Sequence, residues 1–437
     1  MEGVTRRCFL QTTSLAAIGA ACAPGTGTGS GATGDGEVPP PIAELSSRKD
    51  EAEPISVSER KARIEKGRRL MSDTGLDAVF MTGGTSLDYF TGMRWGVSER
   101  LLAVVLPVRG TAFVVAPAFE ERRALEQIQE GPLAGEVTVY TWQEDEDPYE
   151  RVATGLRKLK IAAGALGIEE TVRSVFSRGV AEAAPALNLR SAIPVTAGCR
   201  RVKSAHELAL MRLASEVTFE AYRAAFESLE EGMTQHDCSR LVTLAHERQG
   251  FEGHAGVQVG EYSALPHGSV TPQVVREGTI LLIDGGCSVE GYRSDISRTF
   301  VLGRASDKMK RIFEIERRAQ DAALAKAGPG VEAGAVDAAA REVIAEAGYG
   351  PGYAHFTHRV GHGIGMDGHE WPYLVKGNTL RLEPDMTFSD EPGIYIEGEF
   401  GVRLEDDMHI TNDGAELFTP QSPSLEDPFG IPLGNST

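Results

Sequence analysis

Thr279-Ile-Leu-Leu-Ile-Asp284-Gly-Gly-Cys-Ser-Val-Glu-Gly-Tyr-Arg-Ser-Asp295-Ile-Ser-Arg-Thr-Phe300 is the stretch that decides the fold. Residues 280–283 form an unbroken apolar run that reads as a buried strand, and Gly285, Gly286 and Gly291 punctuate a turn. Residues 292–302 read as the returning strand. A hairpin of that length lets Asp284 and Asp295, eleven residues apart, meet across neighbouring antiparallel strands. Carboxylates are hard oxygen ligands and can bridge two cations.

Three more motifs follow in chain order. His358-Arg-Val-Gly-His362-Gly-Ile-Gly-Met-Asp-Gly-His369-Glu is rich in glycine, which lets backbone approach a ligand closely. Ser389-Asp-Glu391-Pro-Gly393 comes next, then Gly401-Val-Arg403-Leu-Glu405-Asp-Asp. In the last, Arg403 and Glu405 share a strand face because side chains alternate with period two. Each motif alone has a plainer reading. An Asp ending a strand is usually a turn residue, as is a Glu before Pro-Gly, and an Arg beside a Glu is usually a solvated pair. His267 or His369 alone would be a surface or core histidine. Taken together, Asp284, Asp295, His362, Glu391 and Glu405 supply four carboxylates and one imidazole. That donor set suits two adjacent divalent cations around one water, with Mn²⁺ expected ahead of Co²⁺, Zn²⁺ or Fe²⁺.

These motifs resemble those of the pita-bread metallopeptidases: Xaa-Pro aminopeptidase, prolidase and methionine aminopeptidase. The likeness covers residues 205–418. A fainter one covers residues 58–190, carried by Asp77-Ala-Val-Phe-Met and Leu87-Asp-Tyr-Phe-Thr-Gly92. The resemblance implies an α+β chain, with a C-terminal pita-bread catalytic domain behind an N-terminal α/β domain of creatinase type. By the same resemblance Asp284 chelates one metal, His362 and Glu391 hold the other, and Asp295 and Glu405 bridge them. Glu391 is then also the acid–base group. His267, in Leu265-Pro-His-Gly, and His369 bond the substrate carbonyl, His358 lines the proline-side pocket, and Arg403 orients the carboxylates. His358, four residues before His362, and Arg403, two before Glu405, are similar to the proline-specific branch. The resemblance thus implies hydrolysis of Xaa–Pro bonds, proline-containing peptides as partners, and a homodimer. Two other readings compete. One is C–N hydrolysis or lyase chemistry on a small molecule with the same fold; the other is an inactive peptide-binding relative. The complete ligand set argues against the second and against a metal-free hydrolase.

The rest of the chain sets bounds. Its 437 residues are enough for two cores. With 44 Lys and Arg against 63 Asp and Glu, the formal charge of −19 disfavours nucleic acid and anionic membranes as partners. Thr5-Arg6-Arg7-Cys8-Phe9-Leu10-Gln11 reads as a twin-arginine export motif, followed by an apolar run too short to span a bilayer. Residues 1–23 are therefore expected to be a signal, with Cys22 a possible lipidation site in an imperfect lipobox and a periplasmic or membrane-tethered destination. Residues 24–57 are expected to be a flexible tether rich in Gly, Ser and Pro. Residues 58–195 are expected to form the α/β domain and residues 196–437 the catalytic domain. Cys199, Cys238 and Cys287 are too widely spaced for a zinc motif and read as structural.

Overall fold

The structure, a computed structural model, describes residues 38–135 and 137–430. The twin-arginine motif, Cys22 and residues 24–37 of the expected tether lie outside the described residues. The remainder of that expected tether does not behave as one. Residues 40–43 form a short helix, α1 (Pro40–Ala43), whose Ile42 is fully buried against Ala221, Ala224 and Ala245. Arg48 donates its backbone N–H to the Gln249 carbonyl (2.9 Å) and pairs with Glu216 (2.9 Å). A single aliphatic anchor in a Pro-rich stretch is hard to see by composition, yet it ties the segment to the catalytic half.

Helix α2 (Val57–Thr74) starts on a capping box between Ser56 and Glu59 and stops at Gly75, whose φ of 68° suits glycine. A six-stranded mixed sheet then forms, in the order β4-β3-β2-β1-β5-β6. Its strands are β1 (Ala78–Thr82), β2 (Ala103–Pro107), β3 (Phe113–Pro117), β4 (Thr138–Trp142), β5 (Ala165–Ile168) and β6 (Asn188–Ser191). Helices α3 (Thr85–Thr91), α4 (Glu121–Glu130), α5 (Pro148–Lys158) and α6 (Ser174–Ala183) connect them. Strand periodicity divides the apolar side chains between two cores. Val79, Met81, Val104 and Leu106 pack on one face, and Ala78, Phe80, Ala103 and Val105 on the other. The first of these cores continues through α7 (Ile193–Arg200) and α8 (Ala205–Glu227) to Tyr292 and Ile364. Helix α7 crosses the expected boundary at 195/196, so that boundary falls inside an element. Pro194 in its first turn is a helix-starting signal, easily read instead as a linker proline.

The catalytic half repeats one scheme. Helices α8 and α9 (Gln235–Gln249) precede β7 (Glu252–Val259), β8 (Ile280–Val289), β9 (Tyr292–Arg293) and β10 (Ile296–Val301), in which the sheet order is β10-β8-β7 with β9 on β8. Both helices begin on capping boxes, Ser204 with Glu207 and Thr234 with Asp237. Then α10 (Asp307–Lys326) and α11 (Ala333–Ile344) precede β11 (Gly361–Gly363), β12 (Glu370–Leu374), β13 (Thr387–Asp390), β14 (Gly393–Ile396), β15 (Phe400–Arg403), β16 (Asp406–Ile410) and β17 (Ala415–Leu417). Five of these form the sheet β12-β11-β13-β16-β17, and β14 pairs with β15. The halves meet where Glu405 bridges Ser297. The returning strand expected over residues 292–302 is broken into β9 and β10. At the break the Asp295 N–H leaves the ladder and donates to Asp407 Oδ2 (2.9 Å), which turns the Asp295 carboxylate toward the site.

No helix among the described residues is long and apolar enough to cross a membrane. Cys199, Cys238 and Cys287 are free and buried, and burial pushes the Cys287 thiol up to about 11, which keeps it protonated.

Candidate metal centre

Each side chain at the centre is aimed by its own strand. Ser297 lies opposite Asp284 in the β8/β10 register, so the Asp284 carboxylate and the Ser297 hydroxyl share one sheet face. Ser297 Oγ donates to Glu405 Oε2 (2.6 Å), lies 3.0 Å from Asp284 Oδ1, and accepts from Arg403 Nε (2.9 Å). Arg403 Nη2 pairs with Asp284 Oδ2 at 2.6 Å, while its Nη1 donates to the Pro266 carbonyl (3.1 Å) and to Tyr395 Oη (3.2 Å). His362 sits on β11 with its Nδ1 donating to the Gly363 carbonyl (3.1 Å). That bond fixes the tautomer and leaves Nε2 as a free lone pair, 3.2 Å from Glu391 Oε1 and 3.9 Å from Asp295 Oδ2. Glu391 follows β13, and its N–H donates to the Val360 carbonyl (2.8 Å). A Cβ on Gly361 would collide with the Ser389 carbonyl, so glycine is required for β11 and β13 to pair this closely.

The five expected ligands therefore converge. Ligand atoms of Asp284, Asp295 and Glu405 all lie within 4.8 Å of one another, and so do those of His362, Glu391 and Glu405. Asp295, His362 and His369 form a third such group. Burial together with neighbouring carboxylates holds Asp295 and Glu405 well above the usual carboxylate range. Glu391 is pushed up to about 7, mainly by burial; Arg403 opposes this shift and Asp284 adds to it. Burial lowers His362 to about 3, so its ring is neutral and able to ligate. Four acidic groups sharing a buried space with one Arg are short of positive charge. Hard oxygen donors with one neutral imidazole are what divalent cations would satisfy.

The remaining expected residues surround a cavity of about 360 Å³ lined by Pro266, His267, His358, Arg359, His369, Val375, Glu391 and Arg403. His267 is an exposed imidazole on its rim. The His369 ring stacks on His362, with centroids 3.7 Å apart. Its Nδ1 accepts from Arg359 Nη2 (3.1 Å), so the proton of the neutral ring sits on Nε2. His358 lines the cavity, and its ring is held from within. Its Nδ1 donates to the Arg359 carbonyl (2.8 Å) and its Nε2 accepts from Tyr395 Oη (2.7 Å). Both nitrogens are used internally, so His358 serves as a wall of the cavity. A larger cavity of about 770 Å³, between α10 and residues 423–426, contains none of these side chains.

Several contributors were not anticipated. Ser297 was detectable in principle, because it stands two residues after Asp295 and shares its face. Tyr395 and Asp407 were not, since their roles depend on pairings across the fold. Asp407 Oδ2 holds the Asp295 N–H and accepts from Ser215 Oγ (3.3 Å).

Comparison with known proteins agrees with this geometry. Residues 209–412 match the model of metallopeptidase family M24, and residues 63–202 match the creatinase/prolidase N-terminal domain. A protein of Lactobacillus helveticus named Xaa-Pro dipeptidase is 33% identical over 371 residues, covering 83% of this chain and 98% of its own length. The chain belongs to metallopeptidase family M24. Other M24 relatives agree. A probable dipeptidase PepE of Mycobacterium tuberculosis is 37% identical over 347 residues, covering 79% of this chain and 90% of its own. The crystal structure of dipeptidase PepE from Mycobacterium ulcerans superposes with a TM-score of 0.79 at 32% identity, covering 86% of this chain and 99% of that one. The fold is thus a creatinase-type N-terminal domain followed by the M24 pita-bread domain.

Proposed function

We propose that this M24 protein is an exported two-metal peptidase that cleaves the bond preceding proline in short peptides. One observation carries the two-metal reading: Glu405 belongs to both ligand groups, with Asp284 and Asp295 on one side and His362 and Glu391 on the other. Glu405 would then be a ligand shared between two cations, and Asp295, 3.9 Å from His362 Nε2, would be the second. The names of the relatives support proline-containing substrates.

Bound divalent cations would supply Lewis acidity here, acidifying a water and polarising the scissile carbonyl. The chain's own groups do the rest. Glu391 accepts the proton of the attacking water and passes it to the departing prolyl nitrogen. His369 presents Nε2–H to the carbonyl oxygen as negative charge develops there, with His267 on the rim as a second donor; one such donor is worth roughly 2.7–4 kcal/mol in a comparable site. Arg403 holds Asp284 and, through Ser297, Glu405, so these two carboxylates keep their geometry before substrate arrives.

Dialysis against a chelator is expected to silence cleavage of an Xaa-Pro dipeptide and of an Xaa-Pro-Yaa tripeptide, with Mn²⁺ restoring it. Product analysis must show free proline or a prolyl peptide. Turnover indifferent to chelation would remove the metal mechanism, and products of a C–N lyase would redirect the substrate class. Export is supported by the pattern of residues 5–11. Replacing both Arg6 and Arg7 by Lys is expected to retain the protein in the cytoplasm on cell fractionation; unchanged export would refute the twin-arginine route.

A further inference from the structure

One buried guanidinium brackets His369. Arg200, the last residue of α7, keeps only 6% of its side chain exposed. It pairs with Asp367, two residues before His369, and with Glu370, the residue after it. Its Nε donates to Glu370 Oε2 at 3.1 Å, and Lys203 Nζ holds the other oxygen of Glu370 at 2.6 Å. Thr85, the first residue of α3, adds a hold from the N-terminal domain: its Oγ1 donates to Asp367 Oδ1 (2.6 Å). Arg293 of β9 fixes the start of the same loop, with its N–H on the Gly365 carbonyl (2.8 Å) and its Nε on the Met366 carbonyl (3.2 Å). A Cβ on Gly365 would collide with Glu370 Oε1, so the loop lies folded down over that carboxylate.

The His369 ring is itself exposed, held by its stack on His362 and by one N–H from Arg359. Where its Nε2–H points therefore depends on the backbone of residues 367–370, and two helices that carry no expected ligand fix that backbone. We propose that Thr85 and Arg200 are positioning residues for His369, acting through Asp367, so that the N-terminal domain aims the donor at the substrate carbonyl. This deepens the peptidase reading and rests on it. Neither Thr85 nor Arg200 lines the cavity or belongs to a ligand group, so both act at one remove. The leverage is large, because a misplacement of about 1 Å at a reacting centre can cost about 100-fold in rate. A clamp that only stabilises the fold is the alternative the test must exclude.

The experiment uses the metal-loaded protein and Ala-Pro as substrate, with melting temperature and metal content measured on every preparation. Thr85→Val removes only the hydroxyl, Thr85→Ser keeps it, and Asp367→Ala removes the carboxylate while leaving Arg200 its pair with Glu370. Each is made alone and together with His369→Ala. Thr85→Val is expected to lower kcat about 10-fold and Asp367→Ala up to about 100-fold, with KM and metal content unchanged. Thr85→Ser should turn over like the parent. His369→Ala sets the ceiling, roughly 100- to 1,000-fold, and in that background neither substitution should add more than about 2-fold. Deuterium exchange gives a readout apart from turnover: Thr85→Val and Asp367→Ala speed exchange across residues 364–369 and leave β8 as in the parent. Equal losses with and without the His369 ring, or unchanged exchange in the loop, overturn the proposal and leave the clamp as a brace of the fold. A parent that does not cleave Ala-Pro overturns the peptidase reading instead, while the exchange measurement still decides whether Thr85 and Asp367 hold the loop.

Discussion

Replacing Glu391 by Gln is expected to lower kcat by at least the ~100- to 10,000-fold that a positioned acid–base group contributes. On the proposed mechanism the carboxylate would have two duties. Oε1 faces His362 Nε2 at 3.2 Å, where it would serve as a ligand, and the group lines the cavity of about 360 Å³, where it would move the proton. Glutamine has nearly the same shape but neither the charge nor the basicity. The measurement is steady-state kinetics on an Xaa-Pro dipeptide beside metal content of the same preparation. Metal retained with turnover lost assigns the loss to chemistry; both lost assigns it to ligation. Near-parental turnover would show that another group is the base.

The second large effect is on stability. Arg298 and Asp406 are both fully buried and paired at 2.6 Å. Arg298 also donates to the carbonyls of Ser297 (3.0 Å), Glu405 (2.8 Å) and Pro420 (2.8 Å), so the pair supports the backbone on which the Ser297–Glu405 bridge depends. Asp406→Ala leaves a guanidinium buried without its counter-charge, which costs about 3–5 kcal/mol. A large drop in melting temperature is expected, together with weaker metal retention. Arg298→Met combined with Asp406→Leu should be less harmful than either single charge deletion, because no uncompensated charge remains. An Asp406→Ala variant that melts with the parent would show that the pair is not structural.

The two consequences differ in how visible their residues are in the sequence. Glu391 stands in a short motif whose meaning comes from its companions, and four such motifs in order, carrying five ligand-type side chains, leave few chemistries open. Asp406 stands in the same run as Glu405, yet nothing local separates ligand from buttress. Strand alternation sends Asp406 to the opposite face, where Arg298, Gln320 and Thr419 meet it. Similar limits apply at the edges of the fold. The capping boxes at Ser204 and Thr234 mark the starts of α8 and α9 because the bonds are local. The packing of Ile42 and the run of α7 across residue 195 depend on partners far along the chain.

By itself the sequence determined the α+β class, the capped helices, the five ligand-type side chains and the histidines around them. Those features follow from local patterning and from chemistry written into short motifs. Only the tertiary structure decided that His358 spends both nitrogens internally and that Ser297, Tyr395 and Asp407 orient the site. Hydrogen-bond partners separated by tens or hundreds of residues are chosen by strand register and helix packing, and no local pattern encodes them.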